Sequence, residues 1–224
     1  ARLRASGLYL MAPEGAVLDA PEPLQQFLAR AEDLGIEVHL GLEPFSDPPQ
    51  VTVEMGRRRY RYGQNGDMKT EGLCPAWPEN RILALNRART LLETFNPVGL
   101  HLDYVRYRFA NSPDFTPDLE WSADSRWTET YCRCQCPLCQ SERLQLLGRE
   151  ANAWDERHPG YQFKLLAHRD ETIRSFVRQM KELCAQSHTR LSVAARVQYL
   201  NRALIEARTG CAGPRRDWWT SSRR

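Results

Sequence analysis

The sequence predicts an α/β fold of the (β/α)8 TIM-barrel type, present in part, with about four of the eight strands. Three observations predict it. Apolar runs of strand length alternate with amphipathic runs of helical period, the pattern of parallel strands joined by helical crossovers. Within the strand runs, apolar residues alternate with small or polar ones, so one face can pack while the other stays polar. Glu43, Asp103 and Arg196 of that polar face fall at the C-terminal ends of their strands, where barrels of this type hold their chemistry.

The elements follow in order. Residues 7–11 (Gly-Leu-Tyr-Leu-Met) read as a short strand closed by the turn signal Ala-Pro-Glu-Gly at 12–15. Residues 21–34 read as a helix with Leu24, Phe27, Leu28, Ala31 and Leu34 on one face and Gly35 at the C-cap position. Residues 36–42 form the second strand: Ile36, Val38, Leu40 and Leu42 alternate with Glu37, His39, Gly41 and then Glu43. Residues 46–80 lack a period and contain Pro48, Pro49, Gly56, Gly63 and Gly66, so they read as a long loop, with the Arg-Tyr cluster at 57–62 able to form an exposed strand. Pro78 and Glu79 open a helix to Phe95, with Ile82, Leu85, Ala88, Leu91, Leu92 and Phe95 at helical spacing. In the third strand, 98–105, Val98, Leu100, Leu102 and Tyr104 alternate with Gly99, His101 and Asp103. An irregular stretch from 108 to 131 leads into a cysteine cluster and a helical run to about 154. Residues 163–187 form a long amphipathic helix carrying Leu166, Ile173, Phe176, Val177, Met180 and Leu183. Residues 191–197 close the series, with Leu191, Val193, Ala195 and Val197 opposite Ser192, Ala194 and Arg196.

A full barrel takes about 250 residues, and the insertions at 46–80 and 108–140 use part of the 224. Residues 1–206 are therefore expected to form a partial β/α barrel. Residues 207–224 depart from the pattern: Gly210, Gly213 and Pro214 break helices, and the adjacent Trp218 and Trp219 cannot share one buried helical face. That tail is expected to be disordered.

Composition excludes some classes. The 42% hydrophobic and 26% charged content is ordinary for a globular domain, and no run of about 18 apolar residues predicts a membrane span. The formal charge of +3 is concentrated in the tail, where five arginines face one acid, Asp217. The near-neutral remainder lacks the basic stripe expected of a nucleic-acid-binding protein. The seven cysteines are an odd number, unlike a fully paired secreted framework.

Asp103 is the first candidate for catalysis, because a charged group at a strand end needs partners close by or a function. His101 shares its face as either a hydrogen-bonded interior histidine or a substrate contact. Glu43 is the second candidate carboxylate, or a turn cap before Pro44. Arg196 is a substrate clamp or a counter-ion for Asp103, and Arg106 is another counter-ion candidate. His39, Tyr104, Arg106, Tyr107 and Trp77 complete the candidate binding set, and Trp77, Tyr104, Tyr107 and Trp121 offer ring faces that either stack on sugars or simply pack.

Three motifs carry a resemblance that spans roughly residues 5–206. The run His101-Leu-Asp-Tyr-Val-Arg-Tyr107 resembles the HLDYIRYP signature of family 10-like glycosyl hydrolases, which have an α-galactosidase-like barrel. Leu73-Cys-Pro-Ala-Trp-Pro-Glu79 resembles that family's LCPxxPE segment, and Cys134-Gln-Cys-Pro-Leu-Cys139 with Leu144 downstream resembles its CxCxxC segment. Arg108 stands where the family usually has proline. The resemblance implies a sugar-processing barrel with Asp103 as nucleophile or transition-state stabiliser and a carbohydrate as substrate. Glycoside hydrolysis needs two carboxylates; Glu43 is one candidate for the second, and a later strand outside this sequence is the expected source of the general acid. The alternatives are a non-catalytic carbohydrate-binding or interaction module and an inactive fragment of such an enzyme, and this stretch alone is expected to show no hydrolysis. A frame-shifted reading of the codons for 207–224 spells an amphipathic segment and an apolar strand that resemble the family's continuation, so a frameshift is expected there.

No cofactor is required by this chemistry. Cys132, Cys134, Cys136 and Cys139 lie in one short segment, and Cys74 can join from the other insertion. Structural zinc, a disulfide between loops and free thiols are all open on spacing alone. Cys184 reads as a core residue of the long helix.

Overall fold

The computed structural model describes residues 6–11, 14–46, 52–62, 69–107, 134–149 and 159–194. Among these residues the order is β1 (Gly7–Leu10), α1 (Glu14–Asp19), α2 (Glu22–Asp33), β2 (Glu37–Leu42), α3 (Val53–Arg57), β3 (Arg59–Tyr62), β4 (Lys69–Leu73), α4 (Pro78–Phe95), β5 (Gly99–Leu102), α5 (Pro137–Leu147), α6 (Pro159–Gln186) and β6 (Arg190–Val193). The chain divides into two compact units. The first draws its described residues from 6–46, 77–105 and 174–194; the second draws them from 52–76 and 106–173. No helix among the described residues is long and apolar enough to cross a membrane.

The first unit is built on a four-stranded parallel sheet in the order β1-β2-β5-β6. Its central strands carry the predicted alternation. Val38, Leu40 and Leu42 of β2 are 2–3% exposed, and Leu100 and Leu102 of β5 are fully buried. Ala84, Ala88, Leu91, Leu92 and Phe95 of α4 are buried with them, as are Leu24 and Ala31 of α2 and Phe176, Met180 and Leu183 of α6. Each fully buried Leu, Phe or Met side chain contributes about 1.5–3 kcal/mol relative to exposure. Phe45, just beyond β2, packs its ring 5.0 Å from that of Phe176.

The sheet edges behave differently. Leu8 of β1 and Val193 of β6 are exposed; among the described residues each of these strands has a neighbour on one side only. Phe27, Leu34 and Ile82, expected on packed helix faces, are also exposed. For α4 the packed stripe instead runs through Asn80, Ala84, Ala88 and Leu91, leaving Ile82 on another side of the helix.

Helix ends obey local chemistry. Gly35, at φ 67°, closes α2 in a Schellman arrangement: its N–H donates to Glu32 C=O, and the Ile36 N–H donates to Ala31 C=O. Pro78 starts α4, and Asn96 in the left-handed region ends it. Glu14 and Gly15, expected in a turn, open the short helix α1, and residues 12–13 lie outside the described residues. Strand β5 ends at Leu102 rather than continuing to 105, because Tyr104 takes φ 48° and leaves the extended region.

In the second unit, part of the expected long loop is ordered secondary structure. Thr52 Oγ1 accepts the Met55 N–H at 3.2 Å and caps α3. β3 and β4 then pair antiparallel, with a register irregularity between Arg59 and Arg61. The arginine-tyrosine run is thus a paired strand, with Arg59 and Arg61 half-buried rather than exposed. Arg196, Cys132, Trp121 and the 207–224 tail lie outside the described residues.

Candidate active site

The carboxyl ends of β2 and β5 bring the two candidate carboxylates to one level. Leu42 and Leu102 are register partners. The Asp103 N–H donates to the Leu42 carbonyl at 3.0 Å, so the ladder continues one residue past the strands. Glu43 and Asp103 therefore begin from backbones about 4.8 Å apart, the spacing of neighbouring strands. Each follows the last buried leucine of its strand, and strand parity assigns both to the face that carries His39 and His101.

Local bonding fixes each position. The Glu43 carbonyl accepts from the Ser46 hydroxyl at 2.9 Å and from its N–H at 3.3 Å, so the chain turns sharply after Glu43. The turn is made by the backbone of this residue, and its side chain is half-buried. Asp103 Oδ1 accepts the Tyr104 N–H at 2.7 Å. Tyr104 is a bulky residue at positive φ, a conformation that costs about 1–3 kcal/mol. Strain of this kind clusters at functional sites, and here it adjoins Asp103.

A polar row crosses the same face below the carboxylates. Tyr9 pairs with His39, His39 with Gly99, Gly41 with His101, and His101 with Ser192, so every strand of the sheet contributes. The Tyr9 ring lies 4.9 Å from His39 and 4.7 Å from His101 between centroids. His101 Nδ1 and Ser192 Oγ share a hydrogen bond of 2.9 Å. His39 Nδ1 is buried with no hydrogen-bond partner among the described residues. The glycines make room for this row: a Cβ on Gly99 would overlap the His39 ring, and one on Gly41 would overlap the end of Met11.

Burial lowers the pKa of both histidines from the usual 6.5. For His39 the Arg190 charge adds to the effect and Glu37 opposes it; for His101 the Asp103 charge opposes it. Arg190 itself is paired with Glu37 at 2.7 Å, near the amino end of the sheet. Both imidazoles are accordingly neutral near pH 7, able to donate from one nitrogen and accept at the other.

Of the remaining candidates, Trp77 is half-buried at the start of α4, where its carbonyl accepts the Asn80 N–H at 3.1 Å. Tyr104 is 36% exposed, not packed on the apolar face that strand parity assigned it. Arg106 and Tyr107 belong to the second unit and are buried, at 5% and 1% exposure. The Arg169 guanidinium lies 5.0 Å from the Tyr107 ring centroid, and burial raises the Tyr107 pKa well above its ordinary value. A ring so enclosed has no face open for stacking on a sugar. Tyr9 and Ser192 were not among the sequence candidates; extending the period-two alternation through residues 7–11, and treating hydroxyls like carboxylates, would have found both.

The second unit gathers Cys74, Cys134, Cys136 and Cys139, all buried, with their sulfurs within 4.8 Å of one another. This donor set can hold a metal ion such as zinc. Cys74 joins the cluster from the other insertion, as the sequence allowed, while Cys132 lies outside the described residues.

No family model matches the chain, and no curated relative matches it in sequence. Solved structures do match in fold. The PgaB (BpsB) glycoside hydrolase domain from Bordetella bronchiseptica superposes with a TM-score of 0.62 at 11% identity, over 91% of this chain and 60% of that domain. The cold-adapted β-galactosidase from Rahnella sp. R3 gives 0.53 at 12% identity, over 85% of this chain and 31% of that one. The β-galactosidase from the psychrophilic Marinomonas ef1 gives 0.50 at 13%, over 83% and 32%. At these identities the likeness is one of fold: the chain has a glycoside hydrolase-like α/β arrangement and spans 60% or less of the length of these proteins.

Proposed function

We propose that this chain carries a carbohydrate-processing site of the glycoside hydrolase type, with Asp103 as a catalytic carboxylate and Glu43 as its partner on the neighbouring strand. The observation that carries the reading is the ladder bond from Asp103 to Leu42, which sets two carboxylate-bearing residues level at the carboxyl ends of adjacent parallel strands. Barrel enzymes assemble their chemistry at that end of the sheet, and glycoside hydrolysis needs two carboxylates flanking the scissile bond. The glycoside hydrolase-like fold and the resemblance of residues 101–107 to family 10-like glycosyl hydrolases support the same assignment. In the fuller form of this reading, β1, β2, β5 and β6 are four consecutive strands of a (β/α)8 barrel.

Each residue then has a task set by its chemistry. Asp103 acts as nucleophile or stabilises positive charge developing on the sugar ring. Glu43 supplies the second carboxyl group. His101, neutral and oriented by Ser192, hydrogen-bonds a sugar hydroxyl. The exposed ring of Tyr104 beside Asp103, and that of Tyr9 in the row below, offer stacking faces.

Incubating the full chain with a panel of oligosaccharides and aryl glycosides, and following reducing-sugar release together with binding, tests this function. With Glu43 serving as the second carboxylate, release from at least one class of glycan is expected, in place of the absence of hydrolysis that follows if the general acid lies on a later strand. Saturable binding without any release would reduce the site to a carbohydrate-binding module, and neither binding nor release across the panel would sink the reading.

A further inference from the structure

We propose that Cys74, Cys134, Cys136 and Cys139 hold one structural zinc ion as a closed tetrathiolate site, independent of the carbohydrate chemistry. The four residues are 0–2% exposed, and no two of their sulfurs are more than 4.8 Å apart. A tetrahedral zinc with bonds of about 2.3 Å places its sulfurs about 3.8 Å apart. The Cys74–Cys139 separation is 3.5 Å, so that tetrahedron needs only small adjustments of side chains already in place. The set has room for a single ion; a cluster of several irons and sulfides would spread the cysteines more widely.

Donors and charges around the sulfurs fit thiolates. The N–H groups of Arg61 and Cys136 both point at Cys134 Sγ, at 3.4 and 3.5 Å. Backbone donors to a ligating sulfur are the expected support for a metal-bound thiolate. Cys136 is the N-cap of α5 and Cys139 lies in its first turn, where the helix dipole favours negative charge. Four thiolates around a divalent ion leave a charge of −2. Buried Arg143 offsets part of it while donating to the Cys134 carbonyl at 2.9 Å and to Gln135 at 3.0 Å.

The ion would join two segments far apart in sequence. Cys74 follows β4 and donates its N–H to the Arg58 carbonyl at 2.9 Å; Gln135, between two of the other ligands, donates to the Arg61 carbonyl at 2.7 Å. The site thus pins the β3–β4 hairpin to the amino end of α5. With four protein ligands it keeps no open position for substrate or water, so its role is to hold structure.

Metal analysis of the full chain, purified under reducing conditions with zinc supplied, is the direct test. We expect one zinc per chain, released in step with the modification of four thiols by a mercurial. Cobalt in its place should give the thiolate charge-transfer and d–d bands of a tetrahedral tetrathiolate. Cys74→Ser should lower zinc content severalfold, whereas Cys132→Ser and Cys184→Ala should retain it. The mercurial titration needs no variant, so it decides the matter even if Cys74→Ser does not fold. Zinc far below one per chain, a Cys74–Cys139 disulfide in the purified protein, or loss of zinc in Cys132→Ser with retention in Cys74→Ser would each overturn the proposal.

Discussion

At the scale of single residues, His39 and His101 give the account a pH signature. Their pKa values are lowered from 6.5 chiefly by burial, so folding favours the neutral rings. The unfolded chain then binds more protons as the pH drops below 6.5, and stability must fall with it. The contribution is complete above 6.5 and is lost as the pH descends through the folded-state values. Nuclear magnetic resonance titration should therefore find both rings ionising below 6.5, and the urea midpoint should decline from pH 7 to pH 5. A ring ionising at or above 6.5 would contradict the geometry of the row. Tyr107 makes a separate prediction. Its hydroxyl is buried without a hydrogen-bond partner among the described residues, so Tyr107→Phe should leave the denaturation midpoint unchanged or raise it slightly. Tyr107→Ala, by emptying the space beside Arg169, should cost about 3–5 kcal/mol. A large loss from the phenylalanine change would mean that the hydroxyl is used after all. The pattern of apolar residues could not reveal that Tyr107 is enclosed: a residue beyond the strand end has no fixed face, and its burial is set by Arg169, distant in sequence on α6.

At the scale of elements, the sheet distinguishes two glycines that look alike in sequence. A side chain at Gly99 would collide with the His39 ring, which is held between Tyr9 and the sheet. Gly99→Ala should therefore destabilise the protein by about 1–3 kcal/mol and disturb the polar row. At Gly41 the obstacle is the flexible end of Met11, itself 45% exposed. Gly41→Ala should cost less, and equal penalties in thermal denaturation would contradict the packing described. The same contrast explains which elements were legible beforehand. β2 and β5 are central strands, and burying one face forces the alternation into their sequence. Helix α4 announces both of its ends, through Pro78 and through the Asn96 stop. The edge strands are under weaker constraint, and the exposure of Leu8 and Val193 follows from neighbours that the pattern does not specify. Phe27 and Ile82 fit a helical period but fall outside the packed stripes, since periodicity locates a face and not its width. Strand β3 was legible as a candidate strand in the arginine-tyrosine run, but β4 and the pairing were hidden because the glycines and prolines around them signal a loop, while pairing is a contact between segments.

At the scale of the whole molecule, the parallel order β1-β2-β5-β6 and the likeness to the PgaB glycoside hydrolase domain agree on the kind of fold. The candidate site was partly readable from sequence: strand parity assigns Glu43, His101 and Asp103 to one face, and the register of β2 with β5 sets the backbones of Glu43 and Asp103 on neighbouring strands at one level. Parity could supply neither the register itself nor the ladder bond beyond the strand ends. The central claim is that Asp103 performs chemistry on a sugar, and its most direct test is turnover of a responsive glycoside by the wild-type chain and by Asp103→Asn, with folding checked by circular dichroism. Asparagine keeps the shape and removes the charge, so the rate should fall by at least about 100-fold while the fold persists. Unchanged turnover in a folded Asp103→Asn protein would contradict the account.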